Sequence, residues 1–225
     1  MNNDFLKDNI IAHRGIYDNE KTVENTLEAF KKAIKKGYTI ELDLHLTKDN
    51  EVIVFHDDKL NRLTTSKGFI RNRNYKDIKG LQLLGTKNHI PTFDEVLELV
   101  NGKVPLLIEI KDDRKDFKLE KEVIKKLNNY NGLFAIQSFR PSTVMYLKLH
   151  KKEFIRGLLI SPNYNRKYRS LMLMNLCKPD FINFNKKLIN NKKINKFKGI
   201  KIAYLVDKDE KDKYVDICDN MICNI

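Results

Sequence analysis

Four short patterns carry the residue types that phosphate chemistry needs: His13-Arg14, Glu41-x-Asp43, His56-Asp57 and Glu109-x-Lys111. Residues two apart on a strand project the same way, so Glu41 joins Asp43 and Glu109 joins Lys111. Three carboxylates gathered in one place repel one another unless a cation sits between them. An all-oxygen donor set suits a hard divalent ion, Mg²⁺ or Ca²⁺, rather than Zn²⁺. Two histidines within reach of such an ion supply one general acid and one general base. Arg14 offers a planar fork to phosphate oxygens and Lys111 a point charge. Together these parts neutralise, orient and protonate a phosphate ester as it breaks. Singly, each has a plainer reading: His13 or His56 as a satisfied structural histidine, Lys111 as a surface lysine. Their joint position at strand ends favours the chemistry.

The elements that must position them follow from the alternation of short apolar runs with amphipathic stretches. Strands are expected at Ile10–His13, Thr39–Asp43 (running on to Thr47), Glu51–His56, Val104–Ile110, Leu133–Ser138, Phe154–Ile160, Phe181–Phe184, Lys201–Val206 and Met221–Asn224. Helical patterns fall at Asn25–Lys36, Thr92–Val100, Phe117–Asn129, Pro141–His150, Lys167–Leu176, Lys187–Asn195 and Asp207–Val215. Asn25 with Glu28 has the spacing of a helix cap, and Gly37 stands where that helix should stop. Strand–helix alternation argues for an α/β fold with a parallel sheet, most economically a closed (β/α)8 (TIM) barrel. An open doubly wound sheet would need a glycine-rich phosphate turn after the first strand, and His13-Arg14-Gly15 is not one. Lys48-Asp49-Asn50 is too short for a parallel crossover, so Glu51–His56 must return as a hairpin arm and bring His56 near Glu41 and Asp43. Residues 57–91 then form a small irregular insertion within one domain spanning 1–225. The last strand pattern ends at Asn224, so the eighth helix is expected to be missing: Met1–Asp8 or a partner covers its face, or the chain has lost a segment.

Composition sets the outer limits. A chain of 225 residues with 41% hydrophobic content builds one sizeable core and is not a disordered segment. No run approaches the ~18 apolar residues of a membrane span, and no signal-peptide stretch opens the chain. Cys177, Cys218 and Cys223 fit no zinc spacing and read as buried reduced thiols, in keeping with the cytoplasm. Lys and Arg number 43 against 30 Asp and Glu, a net +13 that attracts anions. The joint abundance of Lys, Asn and Ile makes this surplus read as a composition bias spread over the whole chain.

The residues also resemble a known family. Ile11-Ala12-His13-Arg14-Gly15, Glu24-Asn25-Thr26-Leu27-Glu28-Ala29-Phe30, Glu41-Leu42-Asp43-Leu44-His45 and Val54-Phe55-His56-Asp57 follow in the order seen in glycerophosphodiester phosphodiesterases. Leu60-x-Arg62-x-Thr64, Pro91-Thr92-Phe93, Ile108-Glu109-Ile110-Lys111 and Gln137-Ser138-Phe139 continue the match. It is close over about the first 140 residues and afterwards keeps mainly the strand–helix rhythm. The resemblance implies a (β/α)8 barrel with a divalent metal on Glu41, Asp43 and Glu109. It makes His13 and His56 the acid–base pair, and Arg14 and Lys111 the grip on the phosphodiester. It further implies cleavage to glycerol 3-phosphate and an alcohol: the neighbouring glycerol hydroxyl attacks phosphorus, and water then opens the cyclic phosphate. Where the family has a Trp-Thr-Val-Asn run, this chain has Tyr204-Leu205-Val206-Asp207 and no Trp at all, so Tyr204 is expected to form the aromatic wall over the glycerol.

Two other readings stand beside that one. A phosphodiesterase could act on membrane lysophospholipid or an envelope polymer, docking its basic surface to an anionic membrane surface. A non-catalytic phosphate- or nucleic-acid-binding module is the reading from a different class, invited by Lys31-Lys32 with Lys35-Lys36, Lys148 with Lys151-Lys152, and the lysines between 186 and 198. Those clusters lack interleaved aromatics for base stacking and read as solvated helix faces, so no nucleic-acid partner is expected.

Overall fold

Leu42 and Leu44, Leu106 and Ile108, and Phe134 and Ile136 are alternate residues on three neighbouring strands, all buried in one cluster with helical side chains. The residues between them, Glu41 and Asp43, Leu107 and Glu109, Ala135 and Gln137, are buried as well and face the opposite side. Strands buried on both faces need helices on one side and closure on the other. A computed structural model describes residues 3–111, 116–206, 213–214 and 216–223, and it shows that closure.

Helix α1 (Phe5–Asp8) leads into strand β1 (Ile11–His13), helix α2 (Leu27–Lys35) and strand β2 (Thr39–Leu46). The hairpin arm β3 (Val52–Val54) follows, then the short helix α3 (Tyr75–Ile78) and α4 (Phe93–Val100). The rest of the barrel is β4 (Leu106–Ile110), α5 (Lys118–Leu127), β5 (Phe134–Ser138), α6 (Pro141–His150), β6 (Ile155–Ile160), α7 (Tyr164–Cys177), β7 (Phe181–Asn185), α8 (Lys192–Asn195), β8 (Ile200–Tyr204) and β9 (Asn220–Cys223). The strand order β1-β9-β8-β7-β6-β5-β4-β2 closes through a β1–β2 pairing, so these eight form a parallel barrel, and β3 hangs antiparallel on the upper half of β2. This is the expected (β/α)8 barrel with its extra hairpin.

The interior is packed, not hollow. Ile11, Leu107, Ala135, Phe181 and Ile202 meet inside the barrel with Phe5 and Leu6 of α1. The N-terminal helix therefore plugs the floor, which removes it as one of the expected covers of the outer face. Asn220 ties it down by donating to the carbonyls of Leu6 and Asn9 at 3.0 and 2.7 Å. Gly157 pairs with Phe181 across β6 and β7, and a Cβ there would sit 2.2 Å from the Phe181 ring. Glycine lets the aromatic ring fill that layer.

Three local expectations need correction. Thr26, not Asn25, caps α2: its side chain accepts from the Ala29 amide, whereas Asn25 sits at φ 57° and turns its amide inward. The helix expected at Lys187–Asn195 breaks into a 3-10 turn (Lys186–Leu188) and α8, because the Asn191 side chain accepts from Lys193 and Ile194 and starts a new helix there. The last strand starts at Asn220, one residue before the expected Met221. Asn224 and most of the Asp207–Val215 pattern lie outside the described residues. Residues 57–91 are largely irregular, as expected, but fold over a small core of Ile53, Phe55, Leu60, Leu63 and Ile70.

Candidate active site

The site sits at the C-terminal rim of β1, β2, β4 and β5, where barrel folds place their chemistry. His13 lies opposite Glu41 in the β1–β2 register, and Asp43 opposite Glu109 in the β2–β4 register. Ligand oxygens of Glu41, Asp43 and Glu109 all lie within 4.8 Å of one another. All three residues are buried. The turn after β1 is forced by close packing: Arg14 adopts φ 59°, and a Cβ on Gly15 would meet Ala29 at 2.8 Å. This turn aims the Arg14 amide at Glu41 Oε2, 3.1 Å away.

Cations bind the acids together. Lys111 Nζ is 3.1 Å from Asp43 Oδ1 and 2.9 Å from Glu109 Oε1. Arg14 Nε is 3.4 Å from Asp43 Oδ2, and its Nη1 donates to Glu24 at 2.7 Å. Asn25 donates to Asp43 Oδ2 at 2.8 Å, while its own carbonyl oxygen accepts from the Asp43 amide at 3.3 Å. Burial opposes ionisation of Asp43, but Lys111, His56, Arg14 and Asn25 outweigh it and hold the carboxyl below the ordinary range. Burial pushes Glu41 well above that range, and the charges of Asp43 and Glu109 add to the push. Burial lifts Glu109 to about 7 against the pull of Lys111. Burial would lower the Lys111 ammonium, but Asp43 and Glu109 raise it and keep it charged.

The hairpin delivers His56. The Phe55 amide donates to the Asp43 carbonyl at 2.9 Å, extending the β2–β3 pairing up to the rim. His56 Nδ1 contacts Asp57 Oδ1 at 2.6 Å, and the buried His45 ring contacts the His56 carbonyl at 3.1 Å. Arg62 brackets the outer side, donating to both oxygens of Glu24 and both of Asp57 at 2.7–3.0 Å. A cavity of about 700 Å³ opens here, lined by His56, Glu109, Lys111, Phe139 and Arg140 among others.

Most residues singled out from sequence thus converge: His13, Arg14, Glu41, Asp43, His56, Glu109 and Lys111. Tyr204 stands behind Phe139, one layer back from the cavity lining. Its hydroxyl donates to the Ile160 carbonyl at 3.1 Å, its ring stands edge-on to Phe139 at 6.1 Å, and Phe139 itself lines the cavity. Glu24, Asn25, Asp57 and Arg62 carry much of the scaffolding; the sequence motifs contain all four but pointed to no site role for them beyond a cap at Asn25.

The donor set fits a hard divalent cation. It is all oxygen, and its atoms are close enough to share one ion.

Comparison with known proteins agrees with this geometry. A model of the glycerophosphoryl diester phosphodiesterase family matches residues 13–219, and the chain belongs to that family. A glycerophosphodiester phosphodiesterase of Caldanaerobacter subterraneus subsp. tengcongensis is 39% identical over 135 residues. That match covers 56% of this chain and 55% of the relative, about half the length of each. The crystal structure of a glycerophosphodiester phosphodiesterase from Thermotoga maritima superposes with a TM-score of 0.76 at 26% identity, over 95% of this chain and 92% of that one. An Oleispira antarctica phosphodiesterase in complex with the product sn-glycerol-3-phosphate superposes with a TM-score of 0.81 at 20% identity, over 96% and 93% of the two chains.

Proposed function

We propose that this chain hydrolyses glycerophosphodiesters to glycerol 3-phosphate and an alcohol with the help of a divalent cation. The observation that carries the reading is the buried Glu41, Asp43 and Glu109 triad within 4.8 Å, flanked by Lys111, Arg14 and His56. The product bound in the Oleispira relative is the one this reaction would release. Glu41, Asp43 and Glu109 would hold Mg²⁺ or Ca²⁺, which when bound neutralises phosphate charge and acts as a Lewis acid.

The chain's own residues supply the rest. Arg14, braced by Glu24, and Lys111 place two positive groups beside the carboxylates to orient the phosphodiester oxygens. Asp57 as a carboxylate can only accept, so His56 Nδ1 carries the proton and Nε2 the lone pair. Burial lowers the His56 imidazole below its ordinary value; Asp43 opposes this and Lys111 adds to it, which leaves the ring neutral near pH 7. A neutral His56 takes the proton of the glycerol hydroxyl as its oxygen bonds to phosphorus. His13 gives a proton to the alcohol oxygen as that P–O bond breaks. The two exchange roles when water opens the cyclic phosphate. Phe139, with Tyr204 edge-on to it, is the apolar surface for the glycerol carbons. The partner is a small molecule, not a nucleic acid. The buried free thiols of Cys177, Cys218 and Cys223 suit a reducing compartment such as the cytoplasm. Residues 1–225 act as one catalytic unit.

The test is release of glycerol 3-phosphate from glycerophosphocholine and glycerophosphoethanolamine, with Mg²⁺, with Ca²⁺ and with chelator. Release should need metal and fall by about 10²-fold or more in His13→Ala, His56→Ala and Glu41→Ala. Wild-type rates in His56→Ala would end the two-histidine mechanism. Undiminished turnover in chelator would end the metal assignment.

A further inference from the structure

Helix α7 has two apolar faces where a barrel helix needs one. Ser170, Met174 and Cys177 are buried against the barrel. Tyr164, Tyr168, Met172 and Leu176 recur every fourth residue and are 73, 63, 56 and 60% exposed, a stripe running the length of the 14-residue helix. Leu149 of α6, 65% exposed, lies near the stripe's end, where Lys148 Nζ donates to the Leu176 carbonyl at 2.9 Å. Tyr168 and Met172 also line a shallow cavity of about 460 Å³ with Lys192 and Lys193.

The charge around this stripe is unlike that of the rest of the chain. Residues 139–206 hold 16 Lys and Arg but only two acids, Glu153 and Asp180. Everything else holds 27 basic and 28 acidic residues. The +13 surplus is therefore not a bias spread over the chain, as the sequence reading had it. It is confined to the contiguous wall of α6, β6, α7, β7, α8 and β8. An exposed apolar stripe with tyrosines, set in a nearly acid-free basic surface, has the make-up of an element that lies in a lipid–water interface. A second copy of the chain is a poor occupant, because it would bring two such basic walls face to face.

From this charge complementarity we propose that the outer face of α7 docks onto an anionic lipid bilayer, with Tyr164, Tyr168, Met172 and Leu176 in the interface and the neighbouring lysines over the headgroups. The docking stands apart from the reaction proposed above, because it is read without turnover. Arg166 and Arg169 of α7 line the active-site cavity, so docking would set that cavity's rim beside the membrane surface.

Because the protein has no Trp, Tyr168→Trp places a single indole in the stripe. The full chain is mixed with phosphatidylcholine vesicles, with or without a third of phosphatidylglycerol, at low and high salt. Sedimentation should show binding to the anionic vesicles about tenfold tighter than to the zwitterionic ones, weakening as salt rises. Indole emission should shift to the blue and be quenched by brominated lipid. Met172→Asp with Leu176→Asp, and separately Lys192→Glu with Lys193→Glu, should each weaken binding about tenfold while the melting temperature does not fall. No binding to anionic vesicles at low salt would overturn the proposal. So would binding without an indole shift, self-association abolished by the same variants, or a preference for duplex or single-stranded nucleic acid over vesicles.

Discussion

Glu24 is the least conspicuous acid of the site and the most heavily used. Its buried carboxylate accepts from Arg14 on one side and from Arg62 on the other, and Arg62 continues to Asp57, which holds His56. The chain of contacts thus runs from the phosphate-facing arginine to the proposed base. Burial works against both acids, yet Arg62 and its neighbours hold Glu24 below its ordinary range and Asp57 down at about 2. Depressed folded-state values mean that the stability they contribute is present above the ordinary carboxylate value of about 4 and is lost as pH falls toward 2. Arg62→Met should cost about 2 kcal/mol at pH 7, discounted for the partial exposure of Arg62, and should lose less than wild type between pH 4 and pH 2. Denaturant titrations across that pH range measure both. None of this network was legible from sequence. Arg62 belongs to a motif of the resemblance, but it sits 38 residues from Glu24 in an irregular stretch, where no period or spacing shows the two to be partners. Asn25 was read as a cap because its type and spacing allowed it, but its amide is taken by Asp43. His13, Glu41, Asp43, Glu109 and Lys111 were legible because carboxylate and lysine pairs at strand ends have few other uses.

At the scale of elements, strand–helix alternation and the hairpin were readable, since apolar period and connection length constrain both. Thr92 shows the local code at its clearest: its hydroxyl accepts from the Glu95 amide and Glu95 reaches back to the Thr92 amide, so α4 starts with a full capping box. Thr92→Ala should destabilise the fold by about 1 kcal/mol while leaving turnover of a soluble diester unchanged, as a thermal melt beside a rate assay would show. The floor plug was harder to see. Four residues of α1 have no period to read, and what holds them is the Asn220 side chain, more than 200 positions away. The split of Lys187–Asn195 escaped for the opposite reason: the pattern looked periodic, and a capping Asn191 overrode it.

At the scale of the molecule, the barrel is electrically divided. The strands that carry the carboxylates belong to the nearly neutral remainder, and the opposite wall carries almost all the excess charge. Lysines crowded on one wall repel one another, so moderate salt should raise the melting temperature by screening them; scanning calorimetry from ~0.02 to 0.3 M salt measures this. A melting temperature that fell with salt would mean that attractive pairs outweigh the repulsion.

The same division makes the molecule a dipole. A uniformly charged body drawn to a negative surface arrives in any orientation and must roll to find a productive one. A body whose charge lies to one side feels a torque as well as a pull within about a Debye length of the surface. It turns its basic wall forward while still in solution. The segregation of lysines along the chain thus acts as a compass: it selects the pose of arrival before any side chain makes contact.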